Sequence, residues 1–318
     1  MDAASPLVTI MIPTYNQPEF LPVAVQSSLA QTYGNLEIVI ADDNSPSPAV
    51  KALLEEYEAN PRLRVCRNEV NLGRVANYRK TLYERARGKW VINLDGDDYF
   101  LDPTFIEQAV ALAESSPGVA MVSGIFVDRA PSGRLKPSRA NVRGPRLLPP
   151  QEAYEALLVG EYFPFHGSTI YRRERACSVG FYQHDIISAD MESLLRLMQM
   201  GPAGIVPVQA MVRRRHGGNA SHSLAVEEFI ADIMGFSSPL RCHDETSLVS
   251  KEFLESWVAR YTYHKSKDDG YKILKQRRSN TGYLRYLAKL YEVDRKSALR
   301  TLLLPKHLLK MLRNLLGL

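Results

Sequence analysis

One feature restricts the fold more than any other, an alternation at the start of the chain. Apolar, β-rich runs stand at residues 7–15 (LVTIMIPTY), 36–43 (LEIVIADD), 63–68 (LRVCRN), 90–95 (WVINLD) and 119–128 (VAMVSGIFVD). Segments with helical spacing separate them at 20–31, 48–60, 74–88 and 102–116. Gly88 is expected to close the third of these helices and Asp102 to cap the fourth. Strands alternating with helices of roughly 10–15 residues build βαβ units and a mostly parallel sheet flanked by helices. Near-continuous apolar strands fit burial on both faces. In such sheets ligands bind at the carboxyl ends of the strands. The polar clusters stand there: PTYN after the first run, DDNS after the second, RN at the third and DGDD after the fourth.

The last cluster crowds Asp95, Asp97 and Asp98 around Gly96. Like charges that close raise one another's pKa and cost energy. An acidic turn is one reading, since Asp and Gly favour turns for local reasons. It leaves unexplained why a buried strand should run into three carboxylates. An acid–base pair for glycoside cleavage needs carboxyls on opposite sides of a sugar, not in one loop. A divalent cation holding a diphosphate removes the repulsion, because Mg²⁺ and Mn²⁺ prefer oxygen ligands and often share them with phosphates. No GxGxxG follows the first strand and no GxxxxGK[ST] is present, so dinucleotide and P-loop sites are set aside.

The second half is less regular. Residues 130–150 are rich in Pro, Arg, Ser and Gly and read as a long loop. A helix at 151–158, a strand at 165–173 (FHGSTIYRR), a helix at 188–201 capped by Ser188 or Asp190, and a strand at 205–218 follow. Beyond about residue 224 the pattern is helical. Charge divides along the same line. Residues 251–318 carry 16 Lys+Arg against 6 Asp+Glu, whereas the preceding 250 carry 24 against 29. In the last segment, 305–318, Leu308, Leu309, Leu312, Leu315 and Leu316 form a stripe with Lys306, Lys310 and Arg313 away from it. Such a basic amphipathic helix suits docking onto the body, a partner chain in a homo-oligomer, or an anionic membrane surface. Cys66, Cys177 and Cys242 form no CxxC pair, and no signal peptide or spanning segment is read. A cytoplasmic protein, peripheral on the inner membrane face, is the expectation. No nucleic-acid partner is expected.

The segments VTIMIPTYNQPEFLPVAVQSSLAQTYGNLEIVIADDNS and NLGRVANYRKTLYERARGKWVINLDGDDYFLDPTFIE resemble the inverting family 2 glycosyltransferases of GT-A fold. The resemblance covers roughly residues 7–116 strongly and 165–223 more loosely. IPTYN, QTY, DDNS, NxG, AxG and DGDD are specific in combination. It implies a Rossmann-like α/β domain at 1–223, with a nucleotide-sugar half (1–116) and an acceptor half (117–223), then a basic helical extension at 224–318.

It also implies roles. Pro13, Thr14, Tyr15, Asn16 and Glu19 belong to the donor loop, and Asp43, with Asp42 the neighbouring alternative, takes a hydrogen bond from the base. DGDD matches the family's DxD motif. Asp95 and Gly96 would approach the donor's ribose or sugar, and Asp97 or Asp98 the Mn²⁺ or Mg²⁺ ion. Arg74 would reach the sugar or diphosphate. SADMESLLRL matches the segment carrying the general base, so Asp190 is the candidate, with Glu192 the fallback and Ala189 standing where Glu is common. RRRHGG matches a basic loop in which His216 completes the metal site and Arg215 meets the leaving group. The implied reaction is metal-dependent transfer from a nucleotide-sugar, with a lean to UDP, to a glycan or lipid-linked glycan. A sugar-phosphate nucleotidyltransferase would carry a Gly-rich basic loop after the first strand, which PTYNQPEF is not. A non-catalytic scaffold is countered by the intact DGDD, Asp190 and His216.

Overall fold

The computed structural model describes residues 5–138, 143–219, 224–277 and 280–315. Each apolar run becomes a strand: β1 (Val8–Thr14), β2 (Leu36–Asp42), β3 (Leu63–Arg67) and β4 (Trp90–Asn93). Between them lie α1 (Leu21–Leu29), α2 (Pro48–Glu58) and α3 (Arg74–Lys80). These four strands are parallel and lie in the order β3-β2-β1-β4. Ile10, Ile12, Ile38, Ile40, Trp90 and Ile92 are fully or almost fully buried and form one core with Leu21 and Val25 of α1 and Val50 and Leu54 of α2.

Beyond β4 the sheet becomes mixed. The elements are β5 (Tyr99–Phe100), α4 (Phe105–Glu114), β6 (Met121–Arg129), β7 (Leu135–Pro137), β8 (Arg146–Leu148), α5 (Pro150–Val159), β9 (Thr169–Arg172), α6 (Arg173–Ser178), α7 (Ala189–Met198) and β10 (Ala203–Arg214). The order continues β4-β9-β6-β10-β5, completing a ten-stranded sheet among the described residues. β9 runs antiparallel to both β4 and β6, and β10 runs parallel to β6. So β6 and β10 point the same way as β4 and end on the same edge, while β9 enters from that edge.

Several local expectations are corrected. Gly88 does not close a helix: α3 passes into a π turn (Thr81–Arg85) and ends at Ala86. A Cβ at Gly88 would stand 2.5–2.9 Å from Trp90 O, Thr9 N and Leu7 O, so glycine is there to let β1 approach. Asp102 does not cap α4; its Oδ1 accepts from the N–H and hydroxyl of Thr104, closing the turn before the helix. Ser188 gives its N–H and hydroxyl to Asp232 instead of capping α7. The loop expected at 130–150 holds β7 and β8, which pair with β6 and β10. β5 and α6 were not legible at all.

The chain forms two compact units, Met1–Asp185 with Ala189–Gly217, and Ile186–Ser188 with Gly218–Leu318. The second holds α8 (Val226–Gly235), α9 (Ser238–Arg241), α10 (Lys251–Arg277), α11 (Asn280–Val293), α12 (Arg295–Leu302) and α13 (Pro305–Leu315). Its own core gathers Phe229, Ile233, Leu274, Tyr283, Tyr286 and Leu290. The expected boundary at 223 falls on 220–223, and Leu316 of the leucine stripe falls in 316–318; both lie outside the described residues. No described helix is long and apolar enough to cross a membrane.

Candidate active site

The parallel strands deliver their polar ends to one edge, and backbone bonds lock those ends together. Asp43 N–H donates to Thr14 O at 2.9 Å, Asn68 N–H to Asp42 O at 2.9 Å, and Gly96 N–H to Pro13 O at 3.0 Å. A Cβ on Gly96 would press on Pro13 O, Gln17 Oε1 and Thr14 Oγ1 at 3.0–3.1 Å. The PTYN and DGDD loops thus pack directly on each other. Thr14 Oγ1 is buried in this seam with no hydrogen-bond partner among the described residues. Tyr15 and Glu19 are exposed, and Asn16 takes φ 55°, its N–H donating to Ser45 Oγ at 2.8 Å. Asn is among the few non-glycine residues that accept this conformation.

Asp42 and Asp43 divide their labour. Asp42 is fully buried and accepts from the N–H and hydroxyl of Ser45, with Arg67 Nε at 3.2 Å. It shapes its own loop. Asp43 accepts from Asn68 Nδ2 at 2.8 Å and from the N–H groups of Leu72 and Gly73 at 2.9 Å. It holds the NLG turn, where Gly73 takes φ 86° and launches α3 with Arg74 first. A positive φ of this kind favours glycine.

The three carboxylates of DGDD each offer an oxygen within 4.8 Å of the others. They are not equivalent. Asp95 accepts from Tyr78 OH at 2.7 Å and Asn93 Nδ2 at 3.1 Å, and lies 3.1 Å from His166 Nε2. Burial would raise its pKa, yet His166, Tyr78 and Arg74 hold it below the usual carboxylate range. Asp97 meets His216 Nε2 at 2.9 Å, with the His216 ring stacked on Phe20. Burial and the neighbouring Asp95 push Asp97 up against the pull of His216. Asp98 is buried and accepts from Arg214 N–H at 2.8 Å. Burial, then Asp97 and Asp95, push it well above the ordinary value. Two carboxyls forced toward protonation beside a third form a donor set that a hard divalent cation would relieve. The residues present fit such an ion.

Asp190 lies in the first turn of α7. Its charge helps hold Arg74 and His166 above their ordinary values, against the desolvation that would lower both. The candidate base, Arg74 and the DGDD network therefore share one neighbourhood. Glu192 does not face it: the side chain is fully buried between Arg196 at 2.8 Å and His184 at 3.1 Å. Arg215 forks onto Asp128 at 3.1–3.2 Å alongside Arg213, while Arg214 donates to Asp97 O and Phe20 O.

His166 is the residue that sequence reasoning missed. It precedes β9, which enters from the site edge, and it is buried beneath the DGDD loop. Its Nδ1 faces Asn93 Nδ2 at 3.3 Å and Tyr182 OH at 3.4 Å. Tyr182 is itself held at φ 56°, an unfavourable conformation for a bulky residue and one that often marks a functional site.

A family model described as glycosyl transferase family 2 matches residues 9–178, more than half of the chain. The chain belongs to glycosyltransferase family 2. Chondroitin synthase of Escherichia coli is 37% identical over 103 residues, which is 32% of this chain and 14% of that protein. The chain thus spans a small part of that synthase's length. Among solved structures, S. aureus TarS 1–349 in complex with UDP-GlcNAc aligns at TM-score 0.67 and 15% identity, covering 92% of this chain and 82% of that one. The mannosyltransferase of Pyrobaculum calidifontis in complex with GDP-Man and Mn²⁺ aligns at 0.56 and 14%, covering 98% and 88%. The fold of this family 2 enzyme is therefore that of the GT-A glycosyltransferases.

Proposed function

We propose that this glycosyltransferase moves a sugar from a UDP-linked donor to a hydroxyl of a glycan or lipid-linked glycan, with inversion, in the synthesis of a surface polysaccharide or glycoconjugate. The observation that carries the reading is the clustering of the three DGDD carboxylates at the sheet edge, with Arg74 near enough to interact with both Asp95 and Asp190. Residues 1–116 serve as the donor half and 117–223 as the acceptor half. The UDP preference draws on the TarS complexes.

Asp97 and Asp98, with His216 beside Asp97, would hold Mn²⁺ or Mg²⁺. That ion supplies charge to neutralise the donor diphosphate and the departing nucleoside diphosphate. Asp95, fixed by Tyr78 and His166, faces the donor's sugar or ribose, and Arg74 adds a fixed cation nearby. Preorganised charge of this kind costs no rearrangement during reaction. Asp190 accepts the proton of the acceptor hydroxyl as its oxygen attacks the anomeric carbon. One displacement inverts that centre.

A panel of nucleotide-sugars with Mn²⁺ and Mg²⁺, scored for binding and slow donor hydrolysis, tests the reading. Asp190→Asn is expected to lower transfer by about 10²–10⁴-fold with donor affinity retained. Transfer at the wild-type rate would remove Asp190 from the mechanism. A chain that releases no nucleoside diphosphate from any donor would be a scaffold instead.

A further inference from the structure

α13 docks the wrong way round for an ordinary amphipathic helix. Its inward face carries two polar side chains beside Met311, which packs on the core: His307 is fully buried with Nδ1 2.8 Å from Tyr283 OH, and Asn314 Nδ2 donates to Leu274 O and Asn280 Oδ1 at 3.3 Å. Asn280 Nδ2 in turn donates to Met311 O at 3.1 Å. Residues 307, 311 and 314 share one helical face, so the stripe is fixed on the other. Leu308, Leu309, Leu312 and Leu315 remain 41%, 53%, 55% and 72% exposed. Burying them would be favourable, so a helix free to rotate would turn them inward. The buried His307 and the Asn314 bonds prevent that rotation.

The exposure continues upstream. α12 shows Leu299 at 52% and the residue after it, Leu303, at 70%. α11 and α12 leave between them a wholly apolar cleft of about 230 Å³ lined by Leu284, Tyr291, Leu299 and Leu302. From residue 295 to the end of the sequence there are six cations (Arg295, Lys296, Arg300, Lys306, Lys310 and Arg313) and no Asp or Glu. Apolar exposure on this scale marks an interaction site. Lys306 lies 4.0 Å from Asp268 of α10; a protein partner matched to the remaining cations would have to supply their negative charge. An anionic lipid surface supplies both halves at once: acyl chains for the leucines and headgroups for the cations.

We propose that α12 and α13 form an in-plane docking surface for an anionic lipid bilayer, with the α13 leucines entering the headgroup–acyl boundary. This does not rest on the reaction assigned to the first unit.

The test is co-sedimentation of the full chain with phosphatidylcholine vesicles, with and without phosphatidylglycerol. The wild-type chain is expected to sediment with the anionic vesicles and to be released by salt. Leu309→Asp with Leu312→Asp, both exposed, should weaken partitioning about a hundredfold, and Lys310→Gln with Arg313→Gln about tenfold or more. Circular dichroism and nucleotide binding should be unchanged in both variants, which separates loss of docking from loss of fold. Three results would each overturn the proposal. They are a wild-type chain left in the supernatant with anionic vesicles, leucine variants that sediment like wild type, and a wild-type oligomer in light scattering that the leucine variants convert to monomer. The last would make the face a contact between copies.

Discussion

At the scale of single residues, the three aspartates of DGDD differ by their partners rather than by their spacing. Spacing left Asp97 and Asp98 interchangeable. Burial and Arg214 N–H engage Asp98 inside the protein, whereas Asp97 sits beside His216. Asp97→Ala is therefore expected to abolish the Mn²⁺-dependent part of nucleotide affinity in titration calorimetry. An Asp97→Ala variant that keeps the wild-type gain in affinity on adding Mn²⁺ would transfer that role to Asp98. His166 acts one step back, holding Asp95 at 3.1 Å. Removing such a supporting partner typically costs about 10–100-fold in metal affinity or activity. His166→Ala should raise the donor KM while leaving far-ultraviolet circular dichroism unchanged. A donor KM equal to wild type would reduce His166 to packing. No pattern in FHGSTIYRR marks it, because its role depends on β9 running antiparallel into the site edge.

At the scale of elements, the helices and strands of the first half were legible from hydrophobic period, and their ends were not. The helix expected over 74–88 stops at Ala86 because tertiary contact overrides the local signal. Gly88 N–H donates to Thr9 Oγ1 at 2.8 Å and its Cα lies against β1. Gly88→Ala forces a methyl onto three backbone atoms and should destabilise by about 1–3 kcal/mol or more in urea unfolding. An unchanged midpoint would restore the helix-closing role. The seating of α13 makes a second prediction. Burial, reinforced by Lys306, lowers the His307 imidazole to about 4. A base whose folded pKa lies below its unfolded value binds fewer protons when folded. Its contribution is present above pH of about 6.5 and is lost as pH falls toward about 4. His307→Gln should flatten that part of the stability–pH profile, and a profile with the wild-type slope would place the titration elsewhere.

At the scale of the molecule, four polar clusters after four parallel strands were enough to place the candidate site on one edge, since parallel neighbours must end together. In the second half the elements β6, α5, β9, α7 and β10 were legible but β7, β8 and the mixed strand order were not, because that pairing spans distances in sequence that no local period records. What joins the scales is charge. Asp97 and Asp98 are both raised in the unliganded protein, so ionising them works against the fold until an opposite charge arrives. A cation bound there and a diphosphate bound to the cation should therefore stabilise the chain cooperatively. A ligand at about a hundred times its Kd contributes about 2.7 kcal/mol. The melting temperature with Mn²⁺ and UDP together should exceed the sum of the separate gains. The gain should shrink as acid protonates the carboxylates and the cation loses its ligands. It should vanish in Asp97→Ala with Asp98→Ala. Additive shifts in the wild-type protein would mean that cation and nucleotide bind apart, and the DGDD loop would then have to be read without a shared site.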